Sequence, residues 1–138
     1  MYNPVPKPTR RKRDFKRPTV KELVPLEDTE QMVVVDWLRL YKVLFSATVP
    51  DRRTCKRMGY SPGVPDILIY DRPTPVENGK LYVGACIEMK RRKGGVVSED
   101  QKEWLAALEE RGWKCKVALG CDDAIEFLEE CGYGIRRE

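Results

Sequence analysis

No histidine occurs among the 138 residues. Its absence removes Ser-His-Asp hydrolysis, Cys-His attack, the zinc-peptidase helix and every nuclease that uses a histidine as general base. Any catalysis must therefore run on carboxylates, lysines or a thiol. Long apolar runs are missing too: the longest apolar-rich stretch, Met32 to Phe45, is interrupted by Asp36, Arg39 and Lys42. It can neither span a bilayer nor form a signal-peptide core, so no membrane partner is expected and a cytoplasmic location is the default. The cysteines are Cys55, Cys86, Cys115, Cys121 and Cys131, separated by 31, 29, 6 and 10 residues. That spacing matches neither paired zinc ligands nor a secreted disulfide scaffold, so no structural zinc is expected. The thiols read as reduced and mostly buried, and a nucleophilic role is disfavoured without a base.

What is present is a globular composition, 41% hydrophobic and 35% charged, on a chain of one-domain length. The net charge of +4 is unevenly placed. Residues 1–21 hold eight basic side chains against Asp14, a local net of +7, whereas the other 117 residues carry 18 basic and 21 acidic groups. Pro4, Pro6, Pro8, Pro18 and Pro25 oppose a continuous helix there, so residues 1–26 read as an extended basic arm and residues 27–138 as the folded domain. Arg10, Arg11, Lys12, Arg13, Lys16 and Arg17 suit a phosphate backbone, because a short basic arm can follow a polyanion without a formed surface. A solubilising leader is the plain alternative.

Within the domain, Glu30, Val33, Val34, Trp37, Leu38, Tyr41 and Leu44 share one broad helical face, predicting a first helix from about Asp28 to Lys42. Leu44 to Val49 reads as a short edge strand, Asp51 to Pro65 as a loop, and Asp66 to Tyr70 as a strand. A turn rich in Pro, Asn and Gly returns the chain into Leu81 to Lys90, whose apolar beginning suits an interior strand. Ser98 to Arg111 reads as a helix, Lys114 to Leu119 as a strand and Asp122 to Cys131 as a last helix. The order α-β-β-β-α-β-α predicts an α/β fold, a mixed sheet with helices on both faces.

Glu88 and Lys90 lie two apart on a strand, hence on one face, continuing the row of Cys86. Burying them costs several kcal/mol unless each is paired or bound to a metal, and a structural salt bridge is the simpler reading. Asp66 opens the strand that pairs in hairpin fashion with Leu81 to Lys90, so it falls beside Glu88. Two like charges so placed call for a cation, Mg²⁺ or Mn²⁺, although an Asp after Pro65 also suits a turn. Ser98 with Gln101 makes a capping box, yet Gln101 also points its helix face toward the Glu88 and Lys90 strand. Glu30 and, a turn earlier, Glu27 can reach the same cleft, or serve as ordinary first-turn acids.

Pro65-Asp66 followed by Glu88-Met89-Lys90 resembles the PD-(D/E)xK nuclease superfamily. The longer run, GYSPGVPDILIY, then ACIEMK, then VVSEDQKEWLAALEERGWKCKVALG, is similar to the VRR-NUC domain, the virus-type replication and repair nuclease. The likeness extends from about Glu27 to Cys131. It implies a restriction-endonuclease-like core in which Asp66 and Glu88 are metal ligands, Lys90 orients or activates water, and Gln101 stands at the edge of the active site. The main-chain carbonyl of Met89 and an acid of the first helix, Glu30 or alternatively Glu27, would complete the ligand set for Mg²⁺, with Mn²⁺ able to substitute.

The implied activity is metal-assisted hydrolysis of DNA phosphodiesters, leaving a 5′-phosphate and a 3′-hydroxyl, in the host cytoplasm if the chain is virus-encoded. Standalone viral relatives are similar to Holliday-junction resolvases, so branched DNA and a homodimer are expected. A general nicking or flap endonuclease and a catalytically silent DNA-binding module are the competing readings. Arg52, Arg53, Lys56 and Arg57 before Asp66, with Arg91, Arg92 and Lys93 after Lys90, would contact phosphates.

Overall fold

The computed structural model describes residues 24–48, 58–75 and 79–135. Helix α1 (Glu27–Leu40) is followed by strands β1 (Phe45–Ala47), β2 (Ile67–Ile69) and β3 (Gly84–Lys90). Helix α2 (Glu99–Glu110), strand β4 (Trp113–Leu119) and helix α3 (Cys121–Glu130) complete the chain in the expected order. The four strands make one sheet, β1-β2-β3-β4, in which the first two pairings are antiparallel and β3 runs parallel to β4. A parallel neighbour needs a crossover, and α2 supplies it. No helix of the described residues is long and apolar enough to cross a membrane.

Strand β3 is buried at every position, because helices cover both its faces. Ala85, Ile87 and Met89 pack with Val34 and Leu38 of α1 and with Ala124, Phe127 and Leu128 of α3. Leu38 and Leu128 are fully buried, each contributing roughly 1.5–3 kcal/mol of apolar burial. The alternate residues Cys86, Glu88 and Lys90 face α2 instead, where Cys115 of β4 approaches the Leu105 carbonyl. At the start of β3, a Cβ on Gly84 would stand 2.6 Å from the Ile69 carbonyl oxygen and 2.7 Å from the Trp113 ring. Only glycine fits between strand and indole there.

Strands β1 to β3 are shorter than the sequence predicts, β3 starting at Gly84 rather than Leu81, whereas β4 begins one residue earlier, at Trp113, and α3 is shifted by one residue. Helix α1 stops at Leu40 because the backbone turns into the left-handed region at Lys42, with φ of 55°. Val43 N–H then donates to Leu38 O and Lys42 N–H to Arg39 O, a Schellman closure sealed by contact of the buried Val43 with the helix. Strands β1 and β2 keep three residues each, and one further backbone bond flanks them at either end, Thr48 N–H to Asp66 O and Tyr70 N–H to Leu44 O. Helix α2 has the predicted cap: Ser98 accepts from Gln101 N–H at 3.2 Å, and Gln101 Oε1 accepts from Ser98 N–H at 2.9 Å.

Candidate active site

The β2–β3 register pairs Ile67 with Ile87, and continuing it by one residue sets Asp66 opposite Glu88. Asp66 is held there by backbone. Its Oδ2 accepts from Met89 N–H at 2.7 Å, while its carbonyl accepts from Thr48 N–H at 2.8 Å. Gly63, with φ of 91°, lets the preceding loop lie on the first turn of α2, where a Cβ would come within 2.5 Å of the Asp100 carbonyl carbon. The loop that delivers Asp66 is thus seated directly on the helix that delivers Gln101.

Glu88 is 1% exposed and stands at the centre of the group. Its Oε1 accepts from Gln101 Nε2 at 2.6 Å and lies 3.2 Å from Lys90 Nζ. Its Oε2 is buried with no hydrogen-bond donor. Burial, and then the neighbouring Asp66 charge, push the Glu88 carboxyl up to about 7, with Lys90 opposing them. Asp66 is raised as well, chiefly by burial, against the favourable Met89 N–H and Lys90 charge. Gln101 therefore does two jobs with one amide: its oxygen closes the capping box and its nitrogen holds Glu88.

The two acids of α1 part company. Glu27 lies in the field of Lys90 and Asp66, and burial raises its pKa. Glu30 is 3% exposed and turned toward the β4–α3 junction, where its Oε1 accepts from Arg92 Nε at 2.7 Å and from Cys121 N–H at 3.3 Å. Arg92 also reaches Asp122 Oδ2 at 3.2 Å, so its guanidinium ties α1 to α3. Asp122 carries no sequence signal for this role, since it reads only as a first-turn acid. Arg91 donates to the Val24 carbonyl at 2.8 Å, and Lys93 is exposed in the loop after β3. Arg52, Arg53, Lys56 and Arg57, like Arg10, Arg11, Lys12, Arg13, Lys16 and Arg17 of the arm, lie outside the described residues.

The model of the VRR-NUC domain matches residues 12–122. This chain belongs to the VRR-NUC family. A solved structure described as a VRR-NUC domain protein is 26% identical, with a TM-score of 0.64, over 81% of this chain and 96% of that one. No curated protein matches. The family is one of nucleases with a PD-(D/E)xK-like fold, and the mixed sheet flanked by helices agrees with it. The VRR-NUC match begins at residue 12, inside the basic arm, and ends at the first turn of α3. Among the described residues, no three cysteine or acidic side chains come together as a ready metal cluster, and Asp66 and Glu88 face one another as a pair.

Proposed function

We propose that this chain is a metal-dependent DNA endonuclease that hydrolyses phosphodiester bonds, and that it acts on branched DNA such as four-way junctions, as a homodimer. The observation that carries the metal-dependent reading is the buried, undonated Oε2 of Glu88 beside a second carboxylate. A protein leaves such an oxygen unsatisfied only at a cost of about 1–3 kcal/mol, and more when it is charged. A hard divalent cation fits, because the donors are carboxylate oxygens in a like-charged pair, the set that Mg²⁺ and Mn²⁺ prefer. Asp66 and Glu88 would hold it, with the Met89 carbonyl and Glu27 as further donors. Glu27 is preferred to Glu30 because Glu27 lies in the field of Asp66 and Lys90, whereas Glu30 gives its Oε1 to Arg92 and Cys121 N–H and has only its buried Oε2 without a donor. When bound, Mg²⁺ supplies Lewis-acid polarisation of the phosphate and lowers the pKa of a water.

The remaining roles belong to the chain itself. Lys90, anchored 3.2 Å from Glu88, brings a fixed positive charge to the cleft. It orients the attacking water and offsets charge that develops on the phosphoryl oxygens. Gln101 holds the Glu88 carboxylate through Oε1 and leaves Oε2 without a donor. The basic arm and the loop arginines add phosphate contacts that carry little base information.

The symmetry of a four-way junction asks for two equivalent cuts, and a domain with one site meets that demand as a pair of copies. The test is Mg²⁺-dependent cleavage of duplex, flap, single-stranded and four-way junction DNA by the parent, Asp66→Ala and Glu88→Ala proteins. Cleavage centred on junctions and lost in both variants is the expected result. Equal cutting of all shapes would favour a general nicking enzyme. No cleavage by the parent, with DNA binding retained, would leave only a binding module.

A further inference from the structure

Beneath α2, on the face of β3 that also carries Glu88 and two residues before it, the Sγ atoms of Cys86 and Cys115 stand 2.9 Å apart. The two residues are directly paired in the parallel ladder of β3 and β4. Parallel strands lie about 4.7–4.9 Å apart, inside the roughly 4.4–6.8 Å Cα separation that a disulfide tolerates. Neither strand therefore has to shift for the sulfurs to join. Cys86 is fully buried and Cys115 partly exposed, so an oxidant meets Cys115 first. The other described thiols stand elsewhere: Cys131 in the core on the opposite face, and Cys121 beside Arg92 and Asp122 at the start of α3.

We propose that Cys86 and Cys115 are a modification site, a dithiol that a hydroperoxide converts reversibly to an intramolecular disulfide. In the first step the Cys115 sulfur attacks a peroxide oxygen, the O–O bond breaks, one water (or alcohol) leaves with the thiol proton, and Cys115 becomes a sulfenic acid. In the second, the Cys86 sulfur attacks the Cys115 sulfur and expels the hydroxyl, which departs as water with the Cys86 proton. Two thiols lose two hydrogens and the peroxide is reduced. A dithiol reductant reverses the bond.

The ring so closed contains Glu88, Lys90 and Gln101, since all three lie between residues 86 and 115. Oxidation thus fastens the segment that bears most of the candidate active site without moving it, a clasp on the fold independent of the nuclease reading. Constraining the unfolded chain over that span raises the melting temperature by about 7–14 °C.

The experiment treats the full native chain with hydrogen peroxide, blocks remaining thiols with iodoacetamide, and reads intact mass, linked peptides and melting temperature. Expected are a mass lower by two hydrogens before blocking, a peptide link between Cys86 and Cys115, the stated rise in melting temperature, and reversal by dithiothreitol. Cys86→Ala and Cys115→Ser should each lose the link and the thermal shift. A link to Cys55, Cys121 or Cys131, oxygen added to Cys115 with no link, or two thiols that resist peroxide in the folded protein would each overturn the proposal. Mapping on the parent protein decides the matter even if a variant fails to fold.

Discussion

Replacing Gln101 by glutamate separates the two jobs of one amide. A glutamate keeps the capping box, because its carboxylate can accept from Ser98 N–H as the amide oxygen does. The donor to Glu88 is lost, and a carboxylate faces another across a distance that is 2.6 Å in the parent. Two full charges there repel by on the order of 6 kcal/mol at an effective dielectric constant of about 20. Proton uptake relieves most of that at lower cost. Glu88 already sits at about 7, so holding its proton at pH 8 costs about 1.4 kcal/mol.

The proton so held donates in place of the amide, and the imperfect replacement of that bond adds less than about 1 kcal/mol, for a total of about 2 kcal/mol at pH 8. At pH 5 the proton is already present and donates in place of the amide, so the loss shrinks to less than about 1 kcal/mol. The raised carboxyl contributes its stability at low pH and loses it as pH climbs through the folded pKa, which fixes the sign. Thermal melts in EDTA should show Gln101→Glu lower by about 7 °C at pH 8 and nearly unchanged at pH 5. An equal deficit at both pH values would assign the effect to packing. No deficit at pH 8 would remove Gln101 from Glu88.

The parent protein carries a weaker version of the same dependence: with Glu88 pushed from 4.5 to about 7, metal-free stability should fall by up to about 3 kcal/mol as pH rises from 4.5 past 7. Mn²⁺ should flatten that slope in melts, and should fail to do so in Glu88→Gln. Gly63→Ala places a Cβ within 2.5 Å of the Asp100 backbone at a φ of 91°. It should cost about 1–3 kcal/mol in urea unfolding and displace the loop that carries Asp66. Arg92→Ala should lower the melting temperature by exposing Glu30 to burial without its partner. It should leave the slope of log K against log salt for DNA binding unchanged, whereas deleting residues 1–21 should reduce that slope.

Much of the architecture is decided within short windows of the sequence. Hydrophobic period and turn residues are local properties, so the order of helices and strands, the Ser98–Gln101 box and the cover on both faces of Gly84 to Lys90 follow from neighbours a few residues apart, whereas the apolar Leu81 and Val83, expected to open that strand, lie exposed before it. The meeting of Asp66 and Glu88 is nearly local as well, because a hairpin return fixes which end of one strand lies beside which end of the next. Other features depend on registers and rotations that no window contains. Glu27 and Glu30 are less than one turn apart and both can face inward, so only the seating of α1 against α3 sends Glu30 to Arg92 and leaves Glu27 near Lys90.

Arg92 reads as one of three exposed cations in sequence, and becomes an ion-paired tie only when the end of β3 meets the start of α3. Cys86 and Cys115 are 29 residues apart and become neighbours through the parallel register of β3 and β4, which is set by how α2 packs across them. Periodicity tells which face a side chain occupies. Which other side chain it meets there is a matter of long-range packing, and that is decided by the filled core as a whole.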